Sequence, residues 1–464
     1  MLTQYGGYPA FEVQYDTGGH LVDPTTETEA AAYFGSGAGA GVTDVVLISH
    51  GWNNDIADAR ILYHNFFSTF SAVAAKTLPA RSWGVVAVFW PSKKFADSSL
   101  IPGGAAGLSD PVGLQLAAQL KQFAEMFGGD PTTAAKIAHL QSLIPQLDVS
   151  ANAQDDYVST LVSLVPKPRY ENDEGLDEAR STLDADPGHV ILKRLSVPTV
   201  PVSAPLPGSG GAAGLGSIIG GIKSAAASLG DLLTYYTMKD RAGIVGRTGA
   251  VGTIRALRKA RADAAGGAGT GGGAVAGKSF RLHLVGHSFG GRLVTSAANA
   301  LNGSKAAAPE AVDSMTLLEA AYSHNGLAQN WDPATPGSNG AFRSVVDQVK
   351  VKGPIIITHS SHDFPVGTAY PLASRLRNQV AEALIGGPDD KFGGMGRNGA
   401  QHTPEVLADV ALGAAFDTKA YPAAPQKDCW ILNLRGDGPP PAPTITGHGD
   451  VAKAEIAFAM TTYI

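Results

Sequence analysis

Residues 281–294 read RLHLVGHSFGGRLV. A short apolar run ends in two glycines, Gly286 and Gly290, that flank His287, Ser288 and Phe289, and helix-like sequence follows at once. The pattern is Gly-x-Ser-x-Gly at a strand-to-helix corner, and it occurs once in the chain. Such a corner holds its serine in a strained backbone conformation, and a side chain at 286 or 290 would collide with the neighbouring strand or helix. The hydroxyl then stands above the sheet edge, beside the positive end of a helix. The Phe289 N–H points to where an oxyanion would form. In a chain with 57 glycines the bare pattern is weak. The strand before it, the helix after it and the partners downstream make Ser288 the candidate nucleophile.

A serine hydroxyl needs a base, and the base needs an orienting acid. At a corner of this kind the chain order is Ser, then Asp or Glu, then His. Asp363 lies just past the apolar run PIIITHS, where a carboxylate can project over the C-terminal edge of a sheet. His448 lies in TITGHGDV, directly before a final helix. His287, His359, His362 and His402 compete for the base, and Asp347 and Asp332 for the acid. Asp363 as a turn cap and His448 as a plain loop histidine are the simpler alternatives. An oxyanion hole needs two N–H donors. ISHGWNND, residues 48–55, ends an earlier strand; Gly51 lets the backbone come close, Trp52 N–H is the second donor beside Phe289, and His50 buttresses the loop. A plain strand-to-helix turn is the other reading of that segment.

The chain of 464 residues is 44% hydrophobic and 16% charged, enough for one large domain with an insertion or for two domains. A net charge of −6 gives no basic face for nucleic acid. The densest basic run, Arg255, Arg258, Lys259 and Arg261, reads as the wet side of a helix. One cysteine, Cys429, allows no internal disulfide and reads as a small buried hydrophobe. The first residues lack a basic segment followed by an apolar one, and no apolar run is long enough to span a bilayer, so a cytoplasmic location is expected. The nearest run to a span, residues 214–233, carries Lys223 and Asp231 and reads as an amphipathic helix; its Gly216-x-x-x-Gly220 spacing is common by chance.

Along the chain, FEVQYD and GHLVD suggest a hairpin joined by Gly18-Gly19. TDVVLISHGW and WGVVAVFWPS are continuous apolar strands around a helix over 55–78, capped by Asn53 or Asn54. This rhythm is that of a parallel sheet covered on both faces. It breaks at Lys93. TAAKIAHLQSLIPQLD puts Ile137, Leu140, Ile144 and Leu147 on one helical face until Pro145 disturbs it. The segment 170–186 is acidic, and 197–211 is a Pro/Gly linker. The rhythm returns after a long helix over 232–264 and a glycine-rich stretch. Strands FRLHLVGHS, VDSMTLLEAA, VKGPIIITHS and DCWILNLRG follow, separated by helices such as 290–301 and 370–384 and closed by a helix from 450. The expected domains are 1–92 and 231–464, two parts of one core, with 93–230 a mainly helical cap.

The corner, the HGW loop, Asp363 and the late His448 together resemble the α/β-hydrolase superfamily. ISHGWNND, FWPS, GHSFGGRLV and THSSHDFPVGTAYPLAS look like a bacterial group within it. The resemblance covers about 1–92 and 231–464. It implies an eight-stranded, mostly parallel sheet with helices on both faces, its first two strands forming an antiparallel edge, and a Ser288–His448–Asp363 triad. The insertion and the segment 387–406 depart from the pattern. His359, His362 and Asp363 could offer zinc ligands, but there is no His-Glu-x-x-His, and the triad explains Asp363 better. The acidic run from Glu171 to Glu178 lacks calcium-loop spacing. The expected activity is a serine esterase or lipase-like carboxylic ester hydrolase with no cofactor and no metal, acting on a small-molecule or lipid-like ester. The alternatives are an acyltransferase, thioesterase or amidase with the same residues, or a non-catalytic binding scaffold. A cap lying over Ser288 would favour apolar acyl chains, with an entrance at Pro198–Gly221.

Overall fold

The computed structural model describes residues 1–35, 38–92, 110–127, 130–165, 183–196, 221–266, 281–307, 309–363, 393–438 and 443–464. The strands are β1 (Leu2–Tyr5), β2 (Tyr8–Gln14), β3 (Asp44–Ser49), β4 (Trp83–Phe89), β5 (Arg281–His287), β6 (Ser314–Leu318), β7 (Pro354–His359), β8 (Val406–Ala411) and β9 (Trp430–Arg435). The helices are α1 (Pro24–Gly35), α2 (Ile56–Thr77), α3 (Pro111–Phe127), α4 (Pro131–Leu143), α5 (Ala151–Leu164), α6 (Gly188–Leu195), α7 (Ile222–Ile244), α8 (Val251–Gly266), α9 (Phe289–Asn299), α10 (Arg343–Asp347), α11 (Met395–Asn398) and α12 (Ala454–Tyr463). Two compact units emerge: Met1–Ser92 with Lys239–Val366 and Gly393–Ile464, and a second whose described residues fall within Lys93–Met238.

The first unit is α/β. Its nine strands run in the order β1-β2-β4-β3-β5-β6-β7-β9-β8. β1 is antiparallel to β2, and every other neighbouring pair is parallel. Every residue of β3, β4, β6 and β7 is buried, as expected where helices cover both faces. Alternate residues share a face. Val46, Ile48, Val85, Val285, Leu318 and Ile356 pack with Tyr63, Phe66, Phe67 and Phe70 of α2 and with Ile456 to Met460 of α12. The other set, Leu47, Leu284 and Leu317 among them, is buried too.

Three local expectations are corrected. The sheet has nine strands, not eight, because β8 begins at the last residue of the stretch read as an irregular departure, where no strand was expected. As an edge strand it is only half-buried and carries Asp409, so it lacks the continuous apolar run. The hairpin turns at Gly6 and Gly7, both at positive φ, and joins β1 to β2; of the expected Gly18-Gly19 hairpin one bridge remains, Tyr15 to Leu21. Hence only β1 is antiparallel, and β2 runs with the rest of the sheet. The α2 cap is Asp55, whose side chain accepts from Asp58 N–H while Asp58 reciprocates. Asn53 sits at φ 63°, and Asn54 instead donates to the Gly51 and Trp52 carbonyls.

In the second unit Ile137, Leu140, Ile144 and Leu147 are buried together. Pro145 ends α4 at Leu143, and a 3₁₀ turn, Ile144–Gln146, carries the apolar face onward. Lys223 of α7 pairs with Asp110 at 2.7 Å and Asp148 at 3.0 Å. The acidic run, most of the Pro/Gly entrance and the helix expected over 370–384 lie outside the described residues. No helix among the described residues is long and apolar enough to cross a membrane.

Back in the first unit, α7 passes through a π turn, Val245–Ala250, into α8. A side chain on Gly246 would collide with the Leu293 carbonyl, so this glycine sets how closely the turn packs on α9. The basic run on α8 is only partly wet. Arg255 meets Glu310, but Arg261 is buried and donates to the Ala40 carbonyl, and Arg258 donates to the Ala311 carbonyl. Cys429 is buried, and burial pushes its thiol up to about 12.

At the N-terminal ends of the strands, buried Asp44 accepts from His283 at 3.0 Å, Thr43 at 2.6 Å and Arg81 at 3.1 Å. Burial alone would raise this carboxyl; the His283 and Thr43 hydrogen bonds and the Arg81 charge outweigh it and hold it below the usual carboxylate range. A depressed carboxyl stabilises the fold above its unfolded pKa and stops doing so as pH falls through its folded one. Asp44→Ala is expected to lower the unfolding free energy in urea at pH 7 by roughly 3–5 kcal/mol, the cost of orphaning buried partners. The gap from wild type should close below about pH 4. A gap that persists unchanged there would show that the loss is packing rather than charge.

Candidate active site

The strand sequence reverses direction across the sheet between β3 and β5, so the C-terminal ends of these neighbours open onto one crevice. Ser49 pairs with Gly286, which places the residues just beyond each strand side by side. Ser288, one residue past β5, has φ 57° and ψ −123°, a conformation costly for any non-glycine residue. Its N–H donates to the Leu318 carbonyl at 3.0 Å, and its own carbonyl accepts from Gly291 at 2.9 Å and Ala321 at 3.0 Å. A side chain at 286 would strike the Gly290 carbonyl, and one at 290 the carbonyls of Ser49 and His50.

His448 stands on a turn closed by Thr446 and Asp450, between β9 and α12. Its Nε2 is 2.7 Å from Ser288 Oγ. Its Nδ1 is 3.0 Å from Oδ1 of fully buried Asp363, though the N–H does not point along that line. Such misalignment is ordinary in a site without substrate. Asp363 follows β7 in a bend tied to Asp437, which accepts from Ser360 at 2.9 Å and from the Ser361 N–H at 2.7 Å. The three residues expected to converge therefore do so.

The HGW loop meets them. A Cβ on Gly51 would sit 2.6 Å from Ser288 Cβ, so the loop abuts the serine only because residue 51 has none. His50 donates Nδ1–H to the Gly51 carbonyl at 2.9 Å, receives the Trp90 N–H on Nε2 at 3.4 Å, and stacks on the Trp90 ring. Its backbone N–H reaches Tyr63 Oη, whose hydroxyl donates to the Val88 carbonyl. This fixes the neutral tautomer, and burial holds the imidazole down to about 4. The Trp52 and Phe289 rings lie 5.9 Å apart.

Apart from His287, the competing residues lie elsewhere. His359 pairs with Asp409, His362 with Asp437 and His402 with Asn325. His359, His362 and Asp363 thus face three different partners and form no ligand set. Asp347 pairs with Arg343, and Asp332 closes its own turn. Among the described residues the group of possible ligand atoms that gathers within 4.8 Å is His287, Glu319 and His448. Within it, His448 turns Nε2 to Ser288 and Nδ1 to Asp363.

Two neighbours have places that the sequence reading did not give them: His287, read only as a competing base, and Glu319, not singled out at all. His287 donates Nε2–H to the His448 carbonyl at 2.6 Å, so the corner itself holds the loop that bears the histidine. Burial, aided by the charge of His448, keeps His287 at about 3. Glu319 follows β6 immediately, buried, with Oε2 3.8 Å from His448 Nδ1. The signal was its place in VDSMTLLEAA, directly after an apolar strand. Comparison with protein-family models, with curated proteins and with solved structures gives no match to this chain.

His50 and His287 take up a proton when unfolded that they refuse when folded. Each therefore subtracts about 1.4 kcal/mol of stability per pH unit as pH falls below about 6.5, until its own folded pKa is reached. Urea unfolding at pH 7, 6 and 5 should show that slope, and His50→Gln and His287→Gln should each flatten it by one such increment. Variants with the wild-type slope would mean that these imidazoles are protonated in the folded chain.

Proposed function

We propose that this chain is a serine hydrolase of α/β-hydrolase architecture that cleaves a carboxylic ester through an acyl-enzyme on Ser288. The observation that carries the reading is the 2.7 Å approach of His448 Nε2 to a serine hydroxyl on a strained, glycine-flanked corner at the sheet's crossover point. The acid after β7 and the histidine after β9 support it.

Ser288 Oγ attacks the ester carbonyl carbon as its proton passes to His448 Nε2. Asp363 steadies the resulting imidazolium. The carbonyl oxygen, now an oxyanion, is received by the N–H groups of Trp52 and Phe289, each such donor being worth on the order of 3 kcal/mol in barrier. His448 returns its proton to the departing alkoxide, and the alcohol leaves. Water then attacks the acyl carbon while His448 takes its proton. The carbon–Oγ bond breaks, and Ser288 recovers the proton as the acid departs.

Ser288→Ala should abolish labelling by a fluorophosphonate probe and turnover of p-nitrophenyl esters while leaving circular dichroism and melting near wild type. His448→Ala should lower turnover by about three orders of magnitude or more. Labelling retained by the alanine variant at 288 would move the nucleophile elsewhere and end this reading.

A further inference from the structure

Glu319 is an expensive residue with no structural task. Its side chain is fully buried, and neither carboxyl oxygen has a hydrogen-bond partner among the described residues. Its backbone sits at φ 46°, a left-handed conformation that costs a glutamate energy. A buried acid without a donor destabilises a fold, and an apolar side chain of similar volume would not. Yet the surroundings hold it in place. Its N–H donates to Thr358 of β7, to the carbonyl at 3.3 Å and to Oγ1 at 3.1 Å. A Cβ on Gly396 would lie 2.5 Å from both Asp363 Oδ2 and the Glu319 carbonyl carbon, so one glycine makes room for the Asp363 carboxyl and the Glu319 backbone. The two carboxyls approach the same atom, His448 Nδ1, Asp363 at 3.0 Å and Glu319 at 3.8 Å. The Nδ1–H is not aligned on Asp363, which leaves that edge of the ring open to a second acceptor.

We propose that Glu319 is a positioning residue, a second carboxyl on the Nδ1 edge of His448 that stands in reserve to orient this imidazole and balance its cation when Asp363 does not. The inference rests on the serine-hydrolase reading above. Burial first, and then the charges of Asp363 and Asp450, raise the Glu319 carboxyl well above the usual range. In the resting protein it is a neutral acid and adds no repulsion to Asp363. Removing the charge at 363 removes part of what keeps Glu319 protonated, so the glutamate then serves the imidazolium in its place.

A double-mutant cycle tests this with p-nitrophenyl esters, each variant checked by melting and circular dichroism. Glu319→Gln alone should lower kcat by less than about threefold, with KM unchanged. Added to Asp363→Asn, the same change should lower kcat by a further factor of about ten, a coupling within the range shown by contacting residues. Glu319→Met should melt no lower than wild type and show the same background dependence, which keeps the test alive if the glutamine variant folds badly. Equal factors in both backgrounds, or a loss carried by KM, would reduce Glu319 to a structural residue and overturn the inference while leaving the hydrolase reading intact. Ser288→Ala in the same assay separates the two: turnover that survives it overturns the reading and the inference with it.

Discussion

The backbone of Ser288 is clamped by the end of β6 and the residues just past it, its N–H donating to the Leu318 carbonyl and its carbonyl accepting from the Ala321 N–H. Everything else in the site depends on that clamp. A residue at φ 57° relaxes unless its neighbours over-determine it. Here the next strand fixes it from one side, and the ends of β3 fix it from the other, because Gly290 lies against the Ser49 and His50 carbonyls. The π turn against Leu293 seats α9 from behind. The three glycines at 51, 286 and 290 are thus one steric requirement met at three points. Three chain segments approach within backbone contact, and no Cβ fits between them.

Ser314, His283 and Asp44 make a useful contrast. They are joined at 2.8 and 3.0 Å, a serine–histidine–aspartate series as close as that of Ser288, His448 and Asp363. They lie towards the N-terminal ends of β6, β5 and β3, all buried, with His283 paired to Ser314 and Asp44 two positions away, opposite Arg281. No corner lifts this serine out of its strand, and two arginines hold the aspartate as part of an ion pair. Residue types and distances alone therefore do not tell the two series apart. What distinguishes the second set is the C-terminal end of the sheet, the strained turn and the helix that starts there.

The corner, Asp363 and His448 were legible because each follows a strand buried along all or nearly all of its length, and buried parallel strands announce themselves as unbroken apolar runs. The same physics explains what was missed. β8 and β1 are edge strands, half-wet and mixed in sequence, so periodicity does not separate them from loop. The α2 cap was misplaced by one or two residues because Asn53, Asn54 and Asp55 are all good caps, and only the backbone, with Asn53 at positive φ, chooses among them. Glu319 was invisible in role. A single carboxyl after a strand reads as a strand end, and its meaning lies in β6 standing beside β5, which no local pattern states. Arg258 and Arg261 read as solvated until their guanidinium groups are found on backbone carbonyls.

Charge is rationed around Ser288. His50 and His287 are held neutral by burial, and Glu319 is held neutral by burial and by Asp363. His287 therefore gives the His448 carbonyl a hydrogen bond, and Glu319 fills the Nδ1 edge, without adding fixed charge. In a poorly solvated crevice each fixed charge would act strongly on any charge that develops there. With its neighbours silent, the imidazole that on the proposed hydrolase reading becomes a cation when Ser288 loses its proton meets Asp363 as its principal counter-charge. Two neutral histidines and one neutral glutamate are costly to bury, and the fold accepts that cost beside Ser288, where on the proposed reading an unwanted charge would compete with the proton transfer.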